Sequence, residues 1–218
     1  MDRTKLVSEL HASRLVAVVR SKTPDDAVNL ASAAADGGIK FVEITFSVPG
    51  ALDVIKELSR RSDIHVGAGT VLASQQAERA ISSGAQFVVS PSLELNLISL
   101  CHSSNIACFP GAATPTEVIA AARAHADLVK IFPADLVGGP NFIRQVSAPF
   151  ADVRFMVSGG VSLKNIKEYV QVGVIGICLG SAYLGTFLAE QGKKKFVAEM
   201  QKYVKAVAEA QRKTQKKK

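Results

Sequence analysis

The sequence predicts an α/β protein of the (β/α)8 (TIM) barrel class, with one helix before the barrel and one after it. Three observations carry this. Short apolar, β-rich runs recur eight times, their starts 20 to 26 residues apart. Stretches of helical composition separate them. The length, 218 residues, suits one barrel domain. Strands alternating with helices build parallel βαβ units, and eight of them are the count for a closed barrel. A doubly wound sheet is the competitor, but it usually has fewer strands and a GxGxxG after the first, and neither holds here.

In chain order, a helix over about 3–12 precedes the strand LVAVVR (15–20). Thr23-Pro24-Asp25-Asp26 then opens a helix: a capping hydroxyl, a proline in the first turn, and acids at the positive dipole end. Gly37-Gly38 stops it. The strands KFVEITF (40–46), HVGAGT (65–70), AQFVVS (85–90) and NIACFP (105–110) follow, with Gly84 ending the helix before the fourth. Thr114-Pro115-Thr116-Glu117 repeats the opening signal before VIAAARAHA. The strands DLVKIFP (127–133), VRFMVSG (153–159) and VIGICLG (174–180) complete the set, and a long helix over about 190–212 closes the chain. Residues 1–212 read as a single domain and 213–218 as a basic tail.

Composition excludes several classes of function. At 48% hydrophobic and 21% charged the chain can bury a large core, so wholesale disorder is not expected. No apolar run approaches the roughly 20 residues that span a bilayer, and the first residues do not read as a secretory signal. Three cysteines without a CxxC pair suit reduced, buried thiols in a cytosol. The net charge of +7 invites a nucleic-acid partner, but five of those positives lie in the last nine residues, leaving +2 for the rest. A nucleic-acid footprint would need a basic face on the folded domain. Neither nucleic acid nor membrane is therefore expected as a partner. The four histidines lack metal-ligand spacing, and no metal or cofactor is expected.

Two charges interrupt strands that should be continuously apolar. Glu43 lies in FVEITF and Lys130 in DLVKIFP. Side chains alternate along a strand. If Val42, Ile44, Val129 and Ile131 face the helices, Glu43 and Lys130 face the barrel interior. Burial disfavours the ammonium form of lysine, and a neutral amine is a nucleophile for ketones. A neighbouring carboxylate can move the protons that such chemistry requires. The alternative is a buried structural ion pair, which often adds little net stability.

Other polar groups gather at strand ends, on the face where barrel enzymes place their sites. They are Arg20 after strand 1, Thr45 and Ser47 after strand 2, and Thr70 after strand 3. Thr70 suits either a substrate carboxylate or the cap of the next helix. The turns after strands 7 and 8, SGGVS (158–162) and LGSAY (179–183), present Gly159, Gly160, Gly180 and Ser181. Glycine turns that open helices there form the usual barrel phosphate site, or are plain helix starts.

These motifs together resemble one family. VAVVR (16–20), GGIKFVEITF (37–46), VGAGTV (66–71), GAQFVVSP (84–91), FPGAATPTE (109–117), VKIFPA (129–134), SGGVS (158–162) and LGSA (179–182) are similar, in this order, to the 2-keto-3-deoxy-6-phosphogluconate (KDPG) / 4-hydroxy-2-oxoglutarate (KHG) aldolases, class I lyases. The resemblance runs from about residue 5 to residue 185. It implies that Lys130 forms a Schiff base with a 2-keto acid, that Glu43 is the general acid/base, and that Thr70 helps hold the pyruvyl carboxylate. It also implies that the glycine turns and Ser181 bind a phosphate, and that the protein is a cytoplasmic homotrimer. One departure concerns specificity: where many members carry arginine after the E-[IV]-T-hydrophobic stretch, this chain has Ser47, and Arg20 is the candidate to supply the missing charge. Rivals are an aldolase for the galactonate epimer, a phosphosugar isomerase or epimerase on the same barrel, and a barrel that binds phosphorylated metabolites without turnover. None of the last two explains a lysine inside a strand.

Overall fold

A computed structural model describes residues 2–215; Met1 and Lys216–Lys218 of the expected tail lie outside the described residues. The elements run α1 (Arg3–Ser13), β1 (Leu15–Val19), α2 (Pro24–Asp36), β2 (Phe41–Thr45), α3 (Ala51–Leu58), β3 (His65–Gly69), α4 (Ser74–Ser82), β4 (Phe87–Val89) and α5 (Leu95–Ser103). They continue with β5 (Ala107–Phe109), β6 (Gly111–Ala112), α6 (Pro115–Arg123), β7 (Val129–Ile131), α7 (Gly139–Ser147), β8 (Phe155–Val157), α8 (Ile166–Gln171), β9 (Gly176–Leu179) and α9 (Ser181–Gln215).

The helix signals act where the sequence places them. Thr23 caps α2 through Asp26 N–H, with Pro24 in the first turn, and Gly37 ends the helix. Thr114 and Glu117 form a capping box at α6.

All strand pairs are parallel, in the order β5-β4-β3-β2-β1-β9-β8-β7-β6. β5 and β6 are one stretch of chain split at Pro110, which has no N–H to give a ladder. The first part pairs with β4 and the second with β7, while Pro110 O accepts from Lys130 N–H at 2.8 Å. The nine strands therefore occupy the eight positions of a (β/α)8 barrel, with helices around it.

The buried side chains sort into two clusters. One contains Ala17, Val19, Val42, Ile44, Val129, Ile131, Val157 and Ile177, packed under the helices. The other contains Val16, Val18, Phe41, Phe87, Val89, Phe109, Leu128, Met156 and Cys178, which fill the lumen. Consecutive strand residues fall into alternate clusters, as the pleat requires. Leu6, Val7 and Leu10 of α1 join the lumen cluster and plug its N-terminal mouth. An ion pair from Arg3 to Asp127 at 2.5 Å and a hydrogen bond between Glu9 and His65 at 2.8 Å tie that helix down.

At the C-terminal end the helical run starts at Ser181, earlier than the expected 190, and breaks at Gly192, whose φ of 74° and ψ of 164° are non-helical. A glycine adopts that backbone without a steric penalty. Among the described residues, no helix is long and apolar enough to cross a membrane.

Candidate active site

Glu43 on β2 and Lys130 on β7 both project into the lumen. They are 1% and 5% exposed, and Lys130 Nζ stands 3.8 Å from Glu43 Oε1. The strands come together here through small residues. Glu43 pairs in register with Gly67 and leans toward the C-terminal mouth over Gly69, where a Cβ would lie 2.1 Å from Glu43 Oε1. Lys130 is in register with Gly111 on one side and Met156 on the other. Burial pushes the Glu43 carboxyl above its ordinary range, while the charges of Lys130 and then Arg20 pull it back. Glu43 Oε2 is buried and has no hydrogen-bond partner. A buried carboxylate oxygen left open in this way is available to a ligand or a water.

Cys178 on β9 faces the same space. Its thiol is pushed up to about 12, first by burial and then by the Glu43 charge, so it stays protonated. Ser158, buried at the end of β8, lies beside it and opposes that rise. Phe132, partly exposed beyond β7, holds its ring centroid 5.4 Å from Lys130 Nζ. The sequence reading missed all three. The alternation of VIGICLG, with Gly176, Cys178 and Gly180 on one face, carried the signal for Cys178.

The remaining candidates lie around the C-terminal mouth. Arg20 directly follows β1 and is exposed, yet its charge reaches Glu43. Thr45 Oγ1 donates to Val19 O at 3.0 Å and is 2.8 Å from Ser47 Oγ, so Ser47 is anchored to its own strand end. Thr70 directly follows β3 with a φ of 56°, a left-handed conformation that costs a β-branched residue energy. It does not cap the next helix, since the N-cap of α4 is Ala73. Gly159 and Gly160, with φ of 105° and 65°, follow β8; Gly180 and Ser181 join β9 to α9. β8 and β9 are neighbours, so the two turns share one side of the mouth.

The comparisons with known proteins bear on this arrangement of an amine, a carboxylate and two glycine turns. The family model "KDPG and KHG aldolase" matches residues 6–200. The 2-dehydro-3-deoxy-phosphogluconate aldolase of Treponema pallidum (strain Nichols) is 38% identical over 173 residues, 79% of this chain and 82% of that protein. This chain belongs to the KDPG and KHG aldolase family. It is an aldolase, a carbon–carbon lyase acting on small-molecule keto acids. The KHG/KDPG aldolase of Escherichia coli (strain K12) is 32% identical over 84% of this chain and 85% of its own length. Among solved structures, a KDPG aldolase from Legionella pneumophila, with pyruvate captured as a covalent carbinolamine, superposes with a TM-score of 0.76 at 28% identity. That match covers 93% of this chain and 96% of the other.

Proposed function

We propose that this aldolase cleaves KDPG to pyruvate and glyceraldehyde 3-phosphate, 4-hydroxy-2-oxoglutarate to pyruvate and glyoxylate, or both, through a Schiff base on Lys130. The single observation that carries the reading is the 3.8 Å approach of Lys130 Nζ to Glu43 Oε1 inside a closed lumen. A water-poor site suits an amine that must attack as the free base.

The neutral Lys130 amine adds to the C2 ketone of a 2-keto-4-hydroxy acid, giving a carbinolamine. Loss of water leaves a protonated imine that draws electrons. Glu43, directly or through a water, takes the C4 hydroxyl proton. The C3–C4 bond breaks, its electron pair passing into the imine to form an enamine, and the aldehyde departs. Protonation at C3 and hydrolysis of the imine release pyruvate and restore the amine. The open Glu43 Oε2 supports this role, because an oxygen already saturated with donors is a poor base.

In the same reading Thr70, Arg20 and Ser47 hold the substrate carboxylate. The left-handed backbone at Thr70 supports this, since such strain concentrates at ligand sites. Arg20 supplies the guanidinium that Ser47 lacks. The phosphate rests on Gly159, Gly160, Gly180 and Ser181. The departure at Ser47 leaves the galactonate epimer of KDPG as the second reading, and a coupled pyruvate-release assay across the three substrates decides among them. Leu72, Leu95 and Leu136, exposed on segments that follow β3, β4 and β7, offer apolar surface for the homotrimer that the family implies; sedimentation of the purified protein measures it. The same resemblance supports a cytoplasmic location.

The deciding experiment is borohydride reduction in the presence of pyruvate. Wild type gains the mass of a reduced pyruvyl adduct at Lys130, and Lys130→Ala gains none and turns nothing over. Adduct at a different lysine overturns the assignment.

A further inference from the structure

The loop after β7 brings a carboxylate to the glycine turn that follows β8. Ala134 N–H donates to Ser158 O at 2.8 Å, stitching the loop to that strand end. Asp135 then lies against the turn. A Cβ on Gly160 would be 2.7 Å from Asp135 Oδ2, and one on Gly159 would be 3.0 Å from Oδ1. The Asp135 side chain is exposed, and among the described residues it has no hydrogen bond and no ion pair. Among the described residues, no Lys or Arg pairs with that carboxylate. The second turn differs: a Cβ on Gly180 would meet nothing within 4 Å.

The Gly159–Gly160 turn thus couples backbone suited to an anion with a fixed negative charge beside it. A dianionic phosphate seated there is repelled by Asp135 at close range, whereas a keto acid that leaves the turn empty feels that charge only from farther away. We propose that Asp135 is a specificity-determining residue that weakens the binding of phosphorylated ligands, and so narrows the preference for phosphorylated over unphosphorylated 2-keto-4-hydroxy acids. The inference rests on the reading of this turn as part of the phosphate site. It gives the mouth a built-in limit on how tightly a phosphorylated product such as glyceraldehyde 3-phosphate is held.

Asp135→Asn keeps the shape and removes the charge. The measurement is the ratio of kcat/KM for KDPG to that for 4-hydroxy-2-oxoglutarate, together with the inhibition constant of inorganic phosphate on whichever substrate is cleaved. At low salt the ratio rises, and the inhibition constant falls, on the order of tenfold. Both changes shrink as salt screens the charge. A purely structural role for Asp135 moves both substrates alike, and an unchanged ratio therefore overturns the proposal. A falling ratio also overturns it, because the carboxylate would then be accepting a hydrogen bond from the ligand. Wild-type competition by inorganic phosphate separates the two levels. If phosphate competes but Asp135→Asn changes nothing, only the Asp135 assignment falls. If phosphate does not compete with substrate, the phosphate site itself is refuted and this proposal falls with it.

Discussion

Replacing Lys130 by methionine leaves Glu43 as a lone carboxylate in the lumen, and the cost can be worked from its surroundings. Methionine roughly conserves the volume, so packing loss is small. Glu43 is 1% exposed, its Oε2 is already without a partner, and Oε1 loses the ammonium at 3.8 Å. Burial raises the Glu43 carboxyl above its ordinary value of 4.5, and Lys130 is the largest influence opposing that rise. In Lys130→Met the folded-state value climbs further. A carboxyl whose folded value is raised stabilises the fold fully below its unfolded value, and that stability is lost as pH rises toward the folded value. The loss grows by about 1.36 kcal/mol per pH unit. Between 4.5 and pH 7 it is capped at about 3.4 kcal/mol, the cost of protonating the group instead. The cap falls within the roughly 3–5 kcal/mol seen when one partner of a buried ion pair is removed. Urea unfolding of Lys130→Met and of Lys130→Met/Glu43→Gln at pH 5, 6 and 7 measures it. The single variant should approach the double variant at pH 5 and fall progressively below it toward pH 7, by no more than about 3.4 kcal/mol. Parallel pH profiles for the two variants would refute the reasoning, since they would show that Glu43 does not carry a buried charge.

Glu43→Gln should keep the fold and lose about 10²–10⁴-fold in kcat; a near-normal kcat would remove Glu43 from proton transfer. Gly69→Ala places a Cβ 2.1 Å from Glu43 Oε1 and should push that carboxylate off Lys130. Its kcat should drop at least about tenfold, as expected when a reacting group is misplaced, and unchanged kinetics would show that Glu43 has room to move. Arg20→Ala should raise KM for the keto acid, measured by pyruvate release; an unchanged KM would mean that the charge missing at Ser47 is not supplied by Arg20.

The sequence by itself determined the parts of this protein that local chemistry controls. The short apolar runs, the Thr23 and Thr114 caps and the proline and glycine punctuation specify strands and helices through contacts a few residues apart. Because those strands are otherwise apolar, Glu43 and Lys130 were legible as intruders, and alternation alone pointed both inward. Tertiary structure decided what those signals leave open. It split the fifth strand position at Pro110, started α9 at Ser181, and placed Thr70 in a left-handed turn away from the α4 cap. It brought Lys130 within 3.8 Å of Glu43, set Cys178 beside them and laid Asp135 on Gly159 and Gly160. Such approaches depend on how eight strand positions stagger around a closed ring and on where residues such as Gly69 leave space for a distant side chain. No short window of sequence contains that information.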